Sequence, residues 1–94
     1  MAGEFGVYPE WKGLIVIPSR AADQELAFEG LTLRDVLEIL ELGVEPAEGK
    51  TRKEGVCERC MRKGRKNYKV VAAKSYNFAL EEECWILAHV KGVR

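Results

Sequence analysis

Apolar positions recur at helical spacing in one stretch of this chain and at strand spacing in others. Leu33, Val36, Leu37 and Leu40 follow the i, i+3, i+4, i+7 pattern, and Ile39 and Leu42 widen the stripe. Thr32 stands at the N-cap, Asp35 at N3 can return a bond as in a capping box, and Leu31 and Val36 occupy the staple positions. This predicts a helix over Thr32–Leu42, ended by Gly43, with one broad face to bury. A second, thinner stripe of Ala22 and Leu26 predicts an earlier helix over Arg20–Glu29. Ser19 serves as its N-cap and Gly30 as its left-handed terminator.

The strand signals lie on either side. Leu14 to Ile17 is short, rich in β-branched residues and stopped by Pro18, which predicts an edge strand or extended segment. Tyr68–Tyr76 and Glu83–Val90 are apolar on both faces, as interior strands are, and Asn77–Glu82 joins them as a hairpin connection. Lys50–Val56 reads as a weaker strand, followed by a turn through Cys57–Lys66. Pro46, Gly49, Gly55 and Gly64 punctuate this region. The expected architecture is α+β: two helices packed on a three-stranded antiparallel meander, with an N-terminal extended segment. Residues 1–13, which mix Gly, Pro and aromatics without period, read as an N-terminal arm, and residues 14–94 as a single domain.

Composition narrows the class. The chain has 94 residues, 47% apolar and 32% charged, which is too apolar for disorder and too short for two domains. No apolar run approaches the roughly 20 residues of a spanning helix. Met1-Ala2-Gly3-Glu4 carries neither a basic n-region nor an apolar h-region, so a cytoplasmic protein is expected. Uncharged polar residues are scarce, with two Ser, two Thr, two Asn and one Gln, a bias shared by proteins of thermophiles.

The net charge of zero conceals a division. Residues 1–48 carry three basic and ten acidic side chains, residues 49–94 twelve basic and five acidic. Ten of the basic residues fall between Lys50 and Lys74. Within this run Arg59, Arg62, Lys63, Arg65, Lys66, Tyr68 and Lys69 form the candidate nucleic-acid surface. The cations would neutralise phosphates, and Tyr68 would stack on an unpaired base of RNA. The same pattern also suits a solvated hairpin whose charges pair with the acidic half.

Cys57-Glu58-Arg59-Cys60 places two thiols at the spacing that grips one tetrahedral ion, most often zinc, or forms a redox disulfide. The predicted hairpin tip favours zinc. Cys84 and His89 are the remaining donors of this kind. If both lie on one strand, five positions set them on opposite faces and about 16 Å apart, too far for one ion. His89 is then the nearer third ligand to Cys57 and Cys60, and Cys84 is buried packing. Alternatively, two chains each donate a Cys pair to a shared ion, which would make a homodimer.

No Ser-His-Asp order, P-loop, dinucleotide fingerprint or H-E-x-x-H occurs. Glu81-Glu82-Glu83 is a carboxylate cluster with nothing to separate acid from base. The segment Gly30-Leu31-Thr32-Leu33-Arg34-Asp35-Val36-Leu37-Glu38-Ile39-Leu40-Glu41-Leu42-Gly43, followed by a basic strand and two apolar strands, resembles small prokaryotic domains of unknown function related to RelE/ParE-type toxins. The resemblance covers about residues 18–94 and implies two helices on an antiparallel sheet. Members often begin the first helix with His-Ala and a following Arg, where this chain has Arg20-Ala21-Ala22-Asp23-Gln24-Glu25.

Three functional readings follow. One is a RelE-like module contacting RNA or a protein partner through the basic Cys-x-x-Cys turn, stabilised by zinc. The second is a structural or adaptor domain with a zinc or disulfide turn and no nucleic-acid role. The third, an endoribonuclease, has only His89, Tyr68 and neighbouring cations to draw on.

Overall fold

The structure, a computed structural model, describes residues 8–45 and 54–93. In chain order the elements are β1 (Glu10–Trp11), β2 (Leu14–Pro18), α1 (Arg20–Glu29), α2 (Leu33–Leu42), β3 (Val56–Lys63), β4 (Lys66–Asn77) and β5 (Glu82–Val93). Both helices form where capping chemistry places them. Ser19 accepts from the Ala22 N–H, and Gly30 closes α1 at φ 72°. Thr32 and Asp35 complete a reciprocal capping box on α2. Gly43 ends α2 with an extended backbone, where a Cβ would lie 2.8 Å from the Cys60 carbonyl oxygen. Close approach of the chain to β3 therefore requires glycine there.

The sheet overturns the expected three-stranded antiparallel meander. Among the described residues it has five strands in the order β1-β2-β5-β4-β3, and it is mixed. β2 runs parallel to β5, with Ile15 opposite Cys84 and Pro18 opposite Leu87. The pairs β1–β2, β5–β4 and β4–β3 are antiparallel. The class remains α+β. The sequence places Leu14–Ile17 at an edge because Pro18 has no N–H to donate. Pro18 instead stands at the last position of β2, and the next donor, the Ser19 N–H, bonds the Leu87 carbonyl at 2.9 Å. The proline ends an interior ladder without interrupting it.

Residues 1–7 of the expected arm, and residues 50–53 of the expected weak strand, lie outside the described residues. From Glu10 the arm joins the sheet as β1. Lys12 and Gly13, at φ 54° and 82°, form the two-residue turn into β2. The expected turn through Cys57–Lys66 is a second correction. Val56–Lys63 is a strand paired along its length with β4, from Val56–Ala73 to Lys63–Lys66. Only Gly64 and Arg65 turn, with Gly64 at φ 67°. The glycines at 55 and 64 bracket a strand, because Cys57 and Met61 alternate toward the core.

Both helices cover one face of the sheet, with α1 against β5 and α2 against β3, β4 and β1. Val16, Val36, Ile39, Leu40, Val70, Leu87 and Val90 are fully enclosed between the layers. Trp11 and Trp85 stack at 4.9 Å, and the Trp85 indole N–H donates to the Trp11 carbonyl. The sheet curls so far that Arg59, on β3, sets its guanidinium 5.6 Å from the ring of Trp11 on β1. The two outermost strands thus approach each other in a half-barrel around α2.

Candidate nucleic-acid interface

Alternation along β3 and β4 decides which basic side chains are available. Cys57, Met61 and Tyr68 pack toward the helices, so Arg59, Lys63 and Lys66 share their side of the sheet. Each of these three cations meets a carboxylate. Lys63 bonds Glu38 and lies 3.7 Å from Asp35, both on α2. Lys66 bonds Glu29 of α1 at 3.0 Å. Arg59 sits 3.6 Å from Glu45 as well as against Trp11. Tyr68 is half-buried against the core, and the Lys66 ammonium stands 5.9 Å from its ring centroid. Its ring thus lies on the helix side of the sheet, the face opposite to Arg62 and Lys69.

The opposite face, bare of α1 and α2, carries Arg62 and Lys69, with Arg65 at the turn. Arg62 is exposed and its Nε donates to the Gly64 carbonyl at 3.3 Å. Lys69 contacts the buried carboxylate of Glu58 at 3.2 Å. Among the described residues, Arg62 and Arg65 have no carboxylate within ion-pair distance. Strand pairing adds a cation that a linear reading of the basic run missed. Lys91 of β5 lies directly across from Lys69 and is exposed. Lys91 is remote in sequence from that run, and only the β4–β5 register brings it alongside.

Several pKa values follow from these contacts. The bond to Glu38 raises the Lys63 ammonium above its ordinary value. The Thr32 backbone N–H lowers the Asp35 carboxyl, aided by the Thr32 hydroxyl and Lys63 and opposed by burial. Burial, followed by the charge of Glu82, pushes the Cys84 thiol up.

The metal-ligand candidates are not gathered. Residues three apart on one strand point to opposite faces, with Cα atoms about 10 Å apart. Cys57 turns to the core side, and Cys60 to the other side, where its backbone exchanges bonds with Val44 at 2.7 and 2.9 Å. As placed in β3, the two thiols point to opposite faces of the strand. His89 sits across β4 from Glu58, in the row Glu58–Val71–His89, and its Nδ1 is 3.7 Å from Glu25. Among the described residues no three Cys, His, Asp or Glu side chains cluster as metal ligands do. All three cysteines are free thiols, and Cys84 is buried.

His89 also leaves the row expected for it. Simple alternation would align it with Trp85 and Leu87, but the β4–β5 register slips between Val71 and Ala72. Ala88 is the extra residue of this bulge, so Leu87 and Val90, three apart, both enter the core while His89 is exposed.

No family model, curated protein or solved structure gives a match to this chain. Among the described residues no helix is long and apolar enough to cross a membrane.

Proposed function

We propose that the protein binds single-stranded RNA on the helix-free face at the β3–β4 end of the sheet, through Arg62, Arg65, Lys69 and Lys91. The gathering of Arg62, Arg65 and Lys91, cations without a carboxylate partner among the described residues, beside Lys69 carries this reading. Lys91 stands directly across from Lys69, which Glu58 holds at 3.2 Å, and Lys91 itself has no carboxylate at ion-pair distance among the described residues. Arg62 and Arg65 continue the same strip toward the turn. A phosphate backbone laid along it would neutralise Arg62, Arg65 and Lys91, share Lys69 with Glu58, and gain entropy from released counterions. The RelE-like resemblance of Gly30–Gly43 points toward the same class of ligand. Nothing in this strip reads base edges, so the contact is expected to tolerate sequence.

The measurement is titration of the full chain with a fluorescent single-stranded RNA at several salt concentrations. Binding should weaken linearly in log salt, with a slope near 0.7 per phosphate contacted. Reversal of Arg62, Arg65, Lys69 and Lys91 to Glu should abolish it. Absence of binding at low salt, or binding indifferent to salt, would remove the proposal. A single-stranded DNA of the same sequence tests whether the 2′-hydroxyl contributes.

The adaptor reading draws on a different observation. Tyr76, Phe78 and Leu80 are exposed apolar residues at the β4–β5 connection, the opposite end of β4 from Gly64. That surface suits a protein contact and is separate from the cationic strip.

A further inference from the structure

The β4–β5 connection is an apolar knob with a charged border. Phe78 is 83% exposed, Leu80 53% and Tyr76 46%. The knob has a defined shape: the Tyr76 and Phe78 rings meet edge to face at 4.9 Å, and the Leu80 N–H donates to Asn77 Oδ1 at 2.9 Å. Glu81, which follows, adopts the left-handed region at φ 56°, an uncommon conformation for a residue with a side chain. Glu81, Glu82 and Glu83 are all exposed and have no ion-pair partner among the described residues. Elsewhere Glu29, Glu38, Glu45 and Glu58 each meet a cation. The three acids beside the knob repel nucleic acid and anionic membranes, and they repel a second knob.

The same chain carries a complementary hole. Tyr8 and Pro9, ahead of β1, and Leu33 and Leu37 of α2 line a cleft of about 360 Å³, with Arg34 among them. Leu33 and Leu37 are half-buried and leave apolar surface in this cleft, and Pro9 is half-buried there too. Arg34 is exposed and, like the three acids, has no ion-pair partner among the described residues. An apolar knob bordered by unpaired carboxylates matches an apolar cleft that holds an unpaired guanidinium.

We infer that the knob of one copy docks in the cleft of a second copy, with Phe78 and Leu80 against Leu33 and Leu37 and the Glu81–Glu83 carboxylates against Arg34. Knob and cleft are different surfaces, so the contact is heterologous: each copy offers one of each, and assembly continues until it closes or the protein runs out. The inference is independent of RNA binding, because neither surface includes Arg62, Arg65, Lys69 or Lys91.

Sedimentation velocity over a wide concentration range tests it. Wild-type protein should sediment faster as concentration rises. Phe78→Ser and Arg34→Glu alter exposed side chains outside the core, and circular dichroism verifies that both variants fold. Each variant alone should lose the concentration dependence. Mixed in equal amounts, they should form a two-chain species and go no further, since one supplies only a working cleft and the other only a working knob. A wild type that stays monomeric, or variants that assemble as the wild type does, would overturn the inference. So would dispersal by Arg62→Glu and Arg65→Glu but not by Arg34→Glu, which would move the acceptor to the basic hairpin. RNA affinity should be unchanged in Phe78→Ser, so loss of either property leaves the other to be judged separately.

Discussion

The Val90 backbone N–H of β5 donates to the Glu25 carboxylate of α1 at 2.8 Å. Two residues on, the Gly92 N–H donates to Glu29 at 3.3 Å. The spacing explains the match: two residues of strand and four residues of helix both advance by about 6 Å. β2 ends at Pro18, opposite Leu87, so among the described residues the rest of β5 has no strand on that side. Glu25 and Glu29 supply the acceptors a neighbouring strand would have offered, and they shield an edge open to pairing with other chains. A side chain on Gly92 would collide with this arrangement, since a Cβ would lie 2.8 Å from Glu29 Oε1.

Replacing Glu25 with Ala leaves the half-buried Val90 N–H without its partner. The expected loss is about 1–3 kcal/mol of stability, measured by urea unfolding. Glu25→Gln keeps an acceptor and should lose less. Native-state amide exchange at Val90 should accelerate in the Ala variant and little in the Gln variant. Equal exchange in all three proteins would show that the carboxylate does not close the edge.

Acid should weaken the capping box of α2. The Thr32 N–H donates to Asp35 at 2.9 Å and lowers its pKa in the folded state. A folded pKa below the unfolded one means that Asp35 contributes stability above the ordinary carboxylate range. That contribution disappears as pH falls through the depressed folded value. The difference in unfolding free energy between wild type and Asp35→Asn should therefore be largest near neutrality and shrink on acidification. A difference independent of pH would contradict the assignment.

The helices were legible in the sequence because their ends are set by local chemistry. Ser19, Gly30, Thr32 and Asp35 act within one turn of their own positions, and both helices form at the expected bounds. Strand pairing was less legible, since register depends on residues far apart. Nothing local to Leu14–Pro18 announces that it lies parallel to Cys84–Leu87. The candidate site shows the same limit. The basic run was visible as composition, but its division between neutralised and available cations follows from β-alternation in a segment expected to be a turn. Lys91 and the Ala88 bulge likewise depend on the β4–β5 register.

The thiols should respond to reagents according to their places in the sheet. Burial raises the Cys84 pKa and shields its sulfur, so Cys84 should be alkylated only on unfolding, and later than Cys57 and Cys60. Cys84→Ala should cost about 1 kcal/mol or somewhat more in packing. Cys57 and Cys60, on opposite faces of β3, should be alkylated independently and should not form a disulfide with each other. One zinc per chain in a native mass spectrum, lost with either Cys57→Ser or Cys60→Ser, would show that Val56–Lys63 leaves the strand to bind it.

The two faces of the β3–β4 hairpin should separate stability from binding. Lys63 and Lys66 hold the hairpin to α2 and α1 through Glu38, Asp35 and Glu29. Their partly exposed ion pairs are screened by solvent and contribute little, so Lys63→Gln with Lys66→Gln should lower the unfolding midpoint modestly. RNA affinity should barely change, because those charges are already neutralised by carboxylates. Arg62→Gln with Lys91→Gln removes two cations that have no carboxylate at ion-pair distance among the described residues. Stability should hold, since no ion pair is lost among the described residues. RNA affinity should fall, and the slope of log affinity against log salt should flatten by roughly 0.7 for each phosphate that is no longer neutralised. The two double variants remove the same formal charge from one hairpin and its neighbouring strand. A common drop in affinity would therefore mean that RNA responds only to net charge, and the assignment of binding to the helix-free face would be lost.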